Sequence, residues 1–311
     1  MSEGAAASGR MPPRDILVVS DLTLAASNAA WRAAHLARAY GAALRILHAV
    51  REPGQEEAAR AWLLHLAESV QHRLGVAMEV EVTHGELARV AARAAPAADL
   101  LVVPARGANT LRERICGTAT ERLLRASRIP VLVVKRPLAR SRDSSVPVRP
   151  RDDLYERVLV GVQLAPEASG VIAAAGCLSM DPRMEVFHAM RPDKQAAPEL
   201  ARDAPGTAVE RARATVRERI GRAGAHAAGA VAAIGVGEAG DALVAKARGL
   251  GAELIVLGRR ESRLLGDLFI GAVTAGVLSA SRCDVLLVPT DSRSLLAAPA
   301  AATVPEASAL G

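Results

Sequence analysis

The chain has 311 residues, enough for two domains of ordinary size, each with its own core. Half of the residues are hydrophobic but only 2% are aromatic, so the cores must be built from Ala, Val, Leu and Ile, which suits helices packed on a parallel sheet. The formal net charge of +6 speaks to solubility and non-specific binding rather than to fold, and no uninterrupted apolar stretch of about 18 residues suggests a membrane span.

In chain order, residues 1–13 are rich in Ala, Ser, Gly and Pro, lack the apolar centre of a secretory signal and read as a mobile tail. A first unit, 14–136, opens with Ile16-Leu17-Val18-Val19, a continuous apolar run of the kind buried on both faces of a parallel sheet, and Asp21 ends it. The pattern then predicts a helix over 25–40, a strand over 44–50 containing His48, and a helix over 55–74 with an apolar stripe at Leu63, Leu64, Leu66, Val70 and Leu74. A strand over 77–82, a helix over 86–95, a strand over 99–104, a helix opened by Gly117 and a strand over 130–134 complete the unit. Residues 137–154, with Pro, Arg, Ser and Asp, read as a linker.

A second unit, 155–290, repeats the order. Val158-Leu159-Val160-Gly161-Val162 is its first strand, with Gln163 at the place of Asp21, and Glu185-Val186-Phe187-His188-Ala189 matches Arg45-Ile46-Leu47-His48-Ala49. A long helix covers about 207–224, and the Pro- and charge-rich 191–206 holds the extra residues of this copy. Residues 291–311 form a second mobile tail. Strand and helix alternate throughout, so the fold class is α/β: two repeated doubly wound domains, each with a five-stranded parallel sheet flanked by helices. Ligands of such sheets bind beyond the carboxyl ends of the strands, where the strand order switches.

One pattern at that place appears twice. In the first unit a strand ends in Pro104, followed by Ala105, Arg106 and Gly107, then nine residues, then Gly117-Thr118; the second has Gly258-Arg259-Arg260-Glu261, then nine residues, then Gly271-Ala272. A fifth strand follows each, Pro130-Val131-Leu132-Val133-Val134 and Asp284-Val285-Leu286-Leu287-Val288. On these residues the chain resembles the universal stress protein family in a tandem two-domain form. That family carries Gly-x2-Gly-x9-Gly-Ser/Thr after the fourth strand, an Asp at the end of the first, and a Pro-Val-Leu-Val-Val fifth strand. The first unit departs from the motif at Pro104; the second departs at Glu261, Ala272 and Gln163. The resemblance implies a cytoplasmic protein, pairing through the fifth strands and adenine-nucleotide binding in some members, with ATP and magnesium as the expected ligands.

The residues can supply that chemistry in the first unit. Gly107 would let backbone approach a phosphate, and Gly117 and Thr118 would open a helix whose free N–H groups favour an anion. The hydroxyls of Thr118 and Thr120 add donors, Asp21 could accept from ribose hydroxyls, and Arg106, Arg112 and Arg114 bring positive charge. Pro104 has no N–H to give. The alternative is that Gly107 and Gly117 serve turns and packing only. In the second unit Glu261 would repel phosphates, while Arg259, Arg260 and Arg263 could neutralise it or reach an anion. That unit is expected to act mainly as a pairing or partner surface.

Other motifs read as structural. Gly235, Gly237 and Gly240 have GxGxxG spacing but follow a third strand rather than a first, so they are loop glycines. His48 and His188 are satisfied strand-end residues, and His65, Glu68 and His72 form a solvated helix face. Cys116, Cys177 and Cys283 are odd in number and widely spaced, which disfavours a disulfide framework or zinc site. Cys116 could be redox-sensitive beside a helix start, although a small buried role suits it better. No catalytic constellation stands out, so no enzymatic activity is expected. No aromatic–basic alternation supports nucleic-acid binding. Two readings remain: a nucleotide-responsive stress protein using the first unit, with an unknown protein partner, and a ligand-free interaction scaffold. The chain itself could be an intramolecular pseudo-dimer or pair into a homodimer.

Overall fold

The computed structural model describes residues 12–105, 118–136, 155–178, 183–191, 205–259 and 270–290. Domain 1 runs β1 (Asp15–Val19), α1 (Leu24–Tyr40), β2 (Ala43–Val50), α2 (Glu56–Leu74), β3 (Met78–His84), α3 (Leu87–Ala94), β4 (Leu100–Pro104), α4 (Thr118–Ala126) and β5 (Val131–Val134). Domain 2 runs β6 (Arg157–Gly161), α5 (Ala168–Cys177), β7 (Arg183–Met190), α6 (Pro205–Arg222), β8 (Val231–Val236), α7 (Ala239–Leu250), β9 (Leu254–Arg259), α8 (Ala272–Ala280) and β10 (Asp284–Pro289). The expected tails apart from Pro12 and Pro13, the linker 137–154 and most of the 191–206 insertion lie outside the described residues.

All strands join one ten-stranded sheet in the order β3-β2-β1-β4-β5-β10-β9-β6-β7-β8. Within each domain neighbours are parallel. The chain adds β2 and β3 on one side of β1 and then returns to place β4 on the other side, so the strand order switches between β1 and β4. The same switch lies between β6 and β9 in domain 2. The domains meet where β5 runs antiparallel to β10, pairing Val133 with Val285, Leu132 with Leu286 and Val131 with Leu287. Two strands that would otherwise be apolar edges cover each other.

Alternation along these strands feeds two core layers, and both layers cross the domain boundary. Leu132, Val134, Leu286 and Val288 join the layer beneath α1, α2, α5 and α6. Val131, Val133, Val285 and Leu287 join the layer beneath α3, α4, α7 and α8. Each fully buried Val or Leu contributes about 1.5–3 kcal/mol, so the junction is part of the core. Helix α1 packs closely because its inner face is alanine, at Ala26, Ala29, Ala30, Ala33, Ala34 and Ala37. Thr23 caps it by accepting from the Ala26 N–H.

A buried polar cluster locks the junction. Asp284 stands where domain 1 has Pro130 and is fully buried. Its Oδ1 accepts from the backbone N–H groups of Lys135 and Arg136, each at 2.7 Å. Its Oδ2 accepts from the Tyr155 hydroxyl at 2.7 Å and lies 3.3 Å from Arg32 Nε. The Arg32 guanidinium also sits 5.2 Å from the centre of the Tyr155 ring. Burial, reinforced by the Asp284 charge, holds the Tyr155 phenol well above its usual range, so it remains a donor. The carboxylate is satisfied on both oxygens by domain 1 and by the entry to β6. Replacing Asp284 by Ala removes the buried carboxylate that pairs with Arg32 and Tyr155 and should lower stability by about 3–5 kcal/mol in chemical denaturation at neutral pH; a change under ~1 kcal/mol would mean the cluster is not a lock.

Candidate functional site

A cleft of about 360 Å3 opens at the carboxyl ends of β1, β2 and β4, at the switch point of domain 1. Val19, Ala49, Val50, Leu87, Val103 and Leu123 supply an apolar wall, and Asp21, His48, Arg51, Glu52, Gln55 and Thr120 bring polar groups to it. The size and mixed lining suit a small organic ligand.

Asp21 is half-buried at the end of β1. Its Oδ1 accepts from Thr23 N at 3.2 Å and Thr23 Oγ1 at 2.5 Å, which ties the carboxylate to the start of α1. Between them Leu22 has φ +60°, the one positive value at a described residue other than glycine. Ser20 Oγ accepts from the Leu22 N–H in the same turn. That backbone costs on the order of 1–3 kcal/mol at a bulky side chain, and it places Asp21 in the cleft mouth. His48 Nδ1 donates to Ser20 O at 2.8 Å, and His188 Nδ1 donates to Val162 O at 3.0 Å. Both histidines therefore tie the second strand of a domain to the end of its first. His48 also lines the cleft, a position the sequence signals through its place at a strand end.

Pro104 is buried at the end of β4 and forms part of the wall. Leu101 N and Ala105 N donate to β5, at Pro130 O and Val134 O, so alternate residues turn their nitrogens that way. The nitrogen of Pro104 faces β1 instead, and β1–β4 pairing has already ended at Val18 and Val102. The proline thus removes no ladder bond. Thr120 is buried on α4 and lines the cleft, while Thr118 is the first residue of α4. Arg106, Gly107 and Gly117 lie outside the described residues, as do Arg112, Arg114 and Cys116. Arg51, Glu52, Gln55 and Leu87 belong to the cleft although the repeat pattern did not single them out.

Domain 2 uses the same place differently. Gly161, the counterpart of Val19, is hemmed in: a Cβ there would meet Leu257 Cδ2 at 2.7 Å and Leu243 Cδ2 at 2.9 Å. Leucine side chains fill space beside the domain 2 switch point. Gly258 has the register of Pro104, pairing with Val288 as Pro104 pairs with Val134. A Cβ on Gly258 would meet Thr290 Cγ2 at 2.9 Å and Val171 Cγ2 at 3.0 Å, so close packing explains this glycine without a phosphate. Gln163 is exposed, and Gly271 caps α8 with extended backbone. Glu261, Arg260 and Arg263 lie outside the described residues.

Arg259 corrects the sequence reading. Rather than standing open for an anion, its guanidinium is taken up by domain 1. Its side chain is 2% exposed and its Nη2 donates to Ser127 O at 2.7 Å and Ile129 O at 3.2 Å, both in domain 1. Burial pulls its pKa down to about 9. That value is still above neutral, so the group carries its charge at pH 7 and donates to the two carbonyls.

The glycine-rich segment of domain 2 is explained locally. Gly237 has φ +135° and donates to Met190 O; Gly85 has φ +132° and donates to Val50 O, so both are the same turn after a third strand. Gly235 makes room for the Phe187 ring, which a Cβ would meet at 2.5 Å. His65, Glu68 and His72 are exposed on α2, and among the described residues no group of three His, Cys, Asp or Glu could hold a metal ion. Cys177 and Cys283 are buried free thiols, and burial raises Cys177 to about 11. No described helix is long and apolar enough to cross a membrane.

These features define a tandem doubly wound α/β protein with a cleft at the switch point of domain 1. The sequence matches the universal stress protein family over residues 13–135 and again over 154–289. The chain belongs to that family, with two copies of its domain. A universal stress protein from Archaeoglobus fulgidus DSM 4304 has the same fold, with a TM-score of 0.64 at 17% identity, covering 89% of this chain and 98% of that one. A functionally unknown protein from Pseudomonas aeruginosa PAO1 gives 0.63 at 21% identity, over 89% and 93%. A universal stress protein from Pseudomonas aeruginosa UCBPP-PA14 gives 0.63 at 22% identity, over 89% and 94%. No curated protein matches the chain.

Gly161→Ala and Gly258→Ala should each lower stability by about 1–3 kcal/mol through overpacking. Thermal and denaturant unfolding check this; wild-type stability in both variants would show that these glycines are not held by packing.

Proposed function

We propose that domain 1 binds an adenine nucleotide, ATP with magnesium in the first instance, and that domain 2 supplies a pairing or partner surface. The observation that carries this reading is the contrast at one position of the fold. Domain 1 has an open cleft lined by Asp21, His48, Pro104 and Thr120. Domain 2 has Gly161 hemmed in by Leu243 and Leu257 at the corresponding place. Phosphates would lie against the start of α4, where Arg106, Gly107, Gly117, Thr118 and Thr120 converge in sequence, with backbone N–H groups and helix dipole favouring the anion. The free oxygen of Asp21 would receive ribose hydroxyls, and the apolar wall at Val50 and Leu87 would take the base. The role is binding rather than catalysis, and the site is a cytoplasmic sensor in this reading. A scaffold without ligand is the second reading, favoured by Pro104 in the motif and by the engagement of Asp21 Oδ1 with Thr23.

Calorimetric titration of the nucleotide-stripped full chain with ATP and magnesium tests it. About one site per chain is expected, with Gly117→Val abolishing binding and Thr120→Val weakening it roughly fivefold, the loss of one hydrogen bond. Two equal sites would contradict the assignment to domain 1, and no binding at millimolar ATP would establish the scaffold.

A further inference from the structure

We propose that Arg259 is the positioning residue through which domain 2 sets the ligand affinity of domain 1. The inference rests on the nucleotide reading of the domain 1 cleft. Helix α4 forms one side of that cleft through Thr120 and Leu123. Its outer side is tied to the start of α3 by an ion pair between Arg122 and Glu86. Its far end is held by the other domain. Arg259 leaves the end of β9 and donates to Ser127 O and Ile129 O, the carbonyls that close α4 and lead into β5. A cation there satisfies carbonyls at a helix C-terminus and complements the helix dipole. From that contact a short chain of bonds reaches the ligand: Ser127 N donates to Leu123 O, and Leu123 is part of the cleft wall. The turn between is stiffened because Ile129 N donates to Ser127 Oγ.

Arg259 is bound to nothing else that is described: its Nε and Nη1 are buried without a hydrogen-bond partner. A buried guanidinium with two idle nitrogens is costly to retain for packing alone, and its whole bonding capacity in use goes to the end of α4. The opposite contact also exists. Lys135 of domain 1 donates through Nζ to Leu278 O at 2.7 Å and to Ser281 O, closing α8 in domain 2. Ser127 and Ser281 head the same Ser-Arg turn in the two repeats. Each domain thus caps the other's last helix, but only α4 borders the cleft described above. Lys135 is therefore an internal control for interface disruption without a ligand-binding helix at stake.

The test uses the full chain with three substitutions, Arg259→Met, Arg259→Lys and Lys135→Met, and two readouts, ATP affinity and amide hydrogen exchange. Replacing a buried charge by an apolar chain of like size can leave global stability unchanged, so neither readout is a melting temperature. Arg259→Met should weaken ATP binding by about tenfold and speed exchange in 118–126, with Arg259→Lys restoring most of both. Lys135→Met should speed exchange in 272–280 and leave ATP affinity within about twofold. Wild-type affinity and wild-type α4 exchange in Arg259→Met would overturn the proposal, as would equal loss of affinity in Lys135→Met. If Arg259→Met does not fold, Arg259→Gln, which keeps donors but no charge, should move both readouts in the same direction. If the wild-type chain binds no ATP, the nucleotide reading fails by itself, and exchange in α4 against α8 still decides whether Arg259 positions α4.

Discussion

The antiparallel pairing of β5 with β10 is the constraint on which the rest of the molecule depends. It turns two five-stranded sheets into one, runs both core layers across the domain boundary, and buries the strands that would otherwise be edges. Backbone pairing alone would serve either domain with a copy of itself. Asp284 makes the choice specific: its partners Arg32, Lys135 and Arg136 come from domain 1, Tyr155 comes from the entry to domain 2, and the corresponding place in domain 1 is Pro130, which offers no carboxylate. The cluster thus favours domain 1 against domain 2 over two like domains.

Within that shared frame the two switch points have diverged by packing. Val19 in domain 1 borders open space, whereas Gly161 in domain 2 yields its volume to Leu243 and Leu257. A glycine kept at position 258 reads as a remnant of a phosphate loop, yet contact with Val171 and Thr290 requires it. The proline at 104 looks like damage, yet it falls where the β1–β4 ladder has ended. Motif and packing are therefore separable here: Pro104, which departs from the motif, lines the cleft of domain 1, and Gly258, which keeps it, is held by side-chain contacts.

Much of the fold was legible because its signals are local. Continuous apolar runs such as Ile16–Val19 and Leu286–Val288 announce strands buried on both faces, and repetition of the same order twice fixes the topology. The cleft was legible as far as strand ends and the start of α4 carry it, through Asp21, Pro104 and Thr120. What could not be read depends on contacts between distant segments. Arg259 looks like one of several loop arginines until the antiparallel junction carries it to Ser127 and Ile129. Asp284 looks like the edge of a strand until Tyr155 and Arg32 close over it. Arg51, Glu52 and Gln55 carry no motif; only the neighbouring strand ends make them part of a cleft.

The most direct test of the contrast between the two switch points is a crystal structure of the full chain grown with a non-hydrolysable ATP analogue and magnesium. Analogue density between Asp21, Pro104 and Thr120, with Leu243 and Leu257 unmoved around Gly161, is the predicted result. Density at the domain 2 switch point, or an empty domain 1 cleft at saturating analogue, would contradict it.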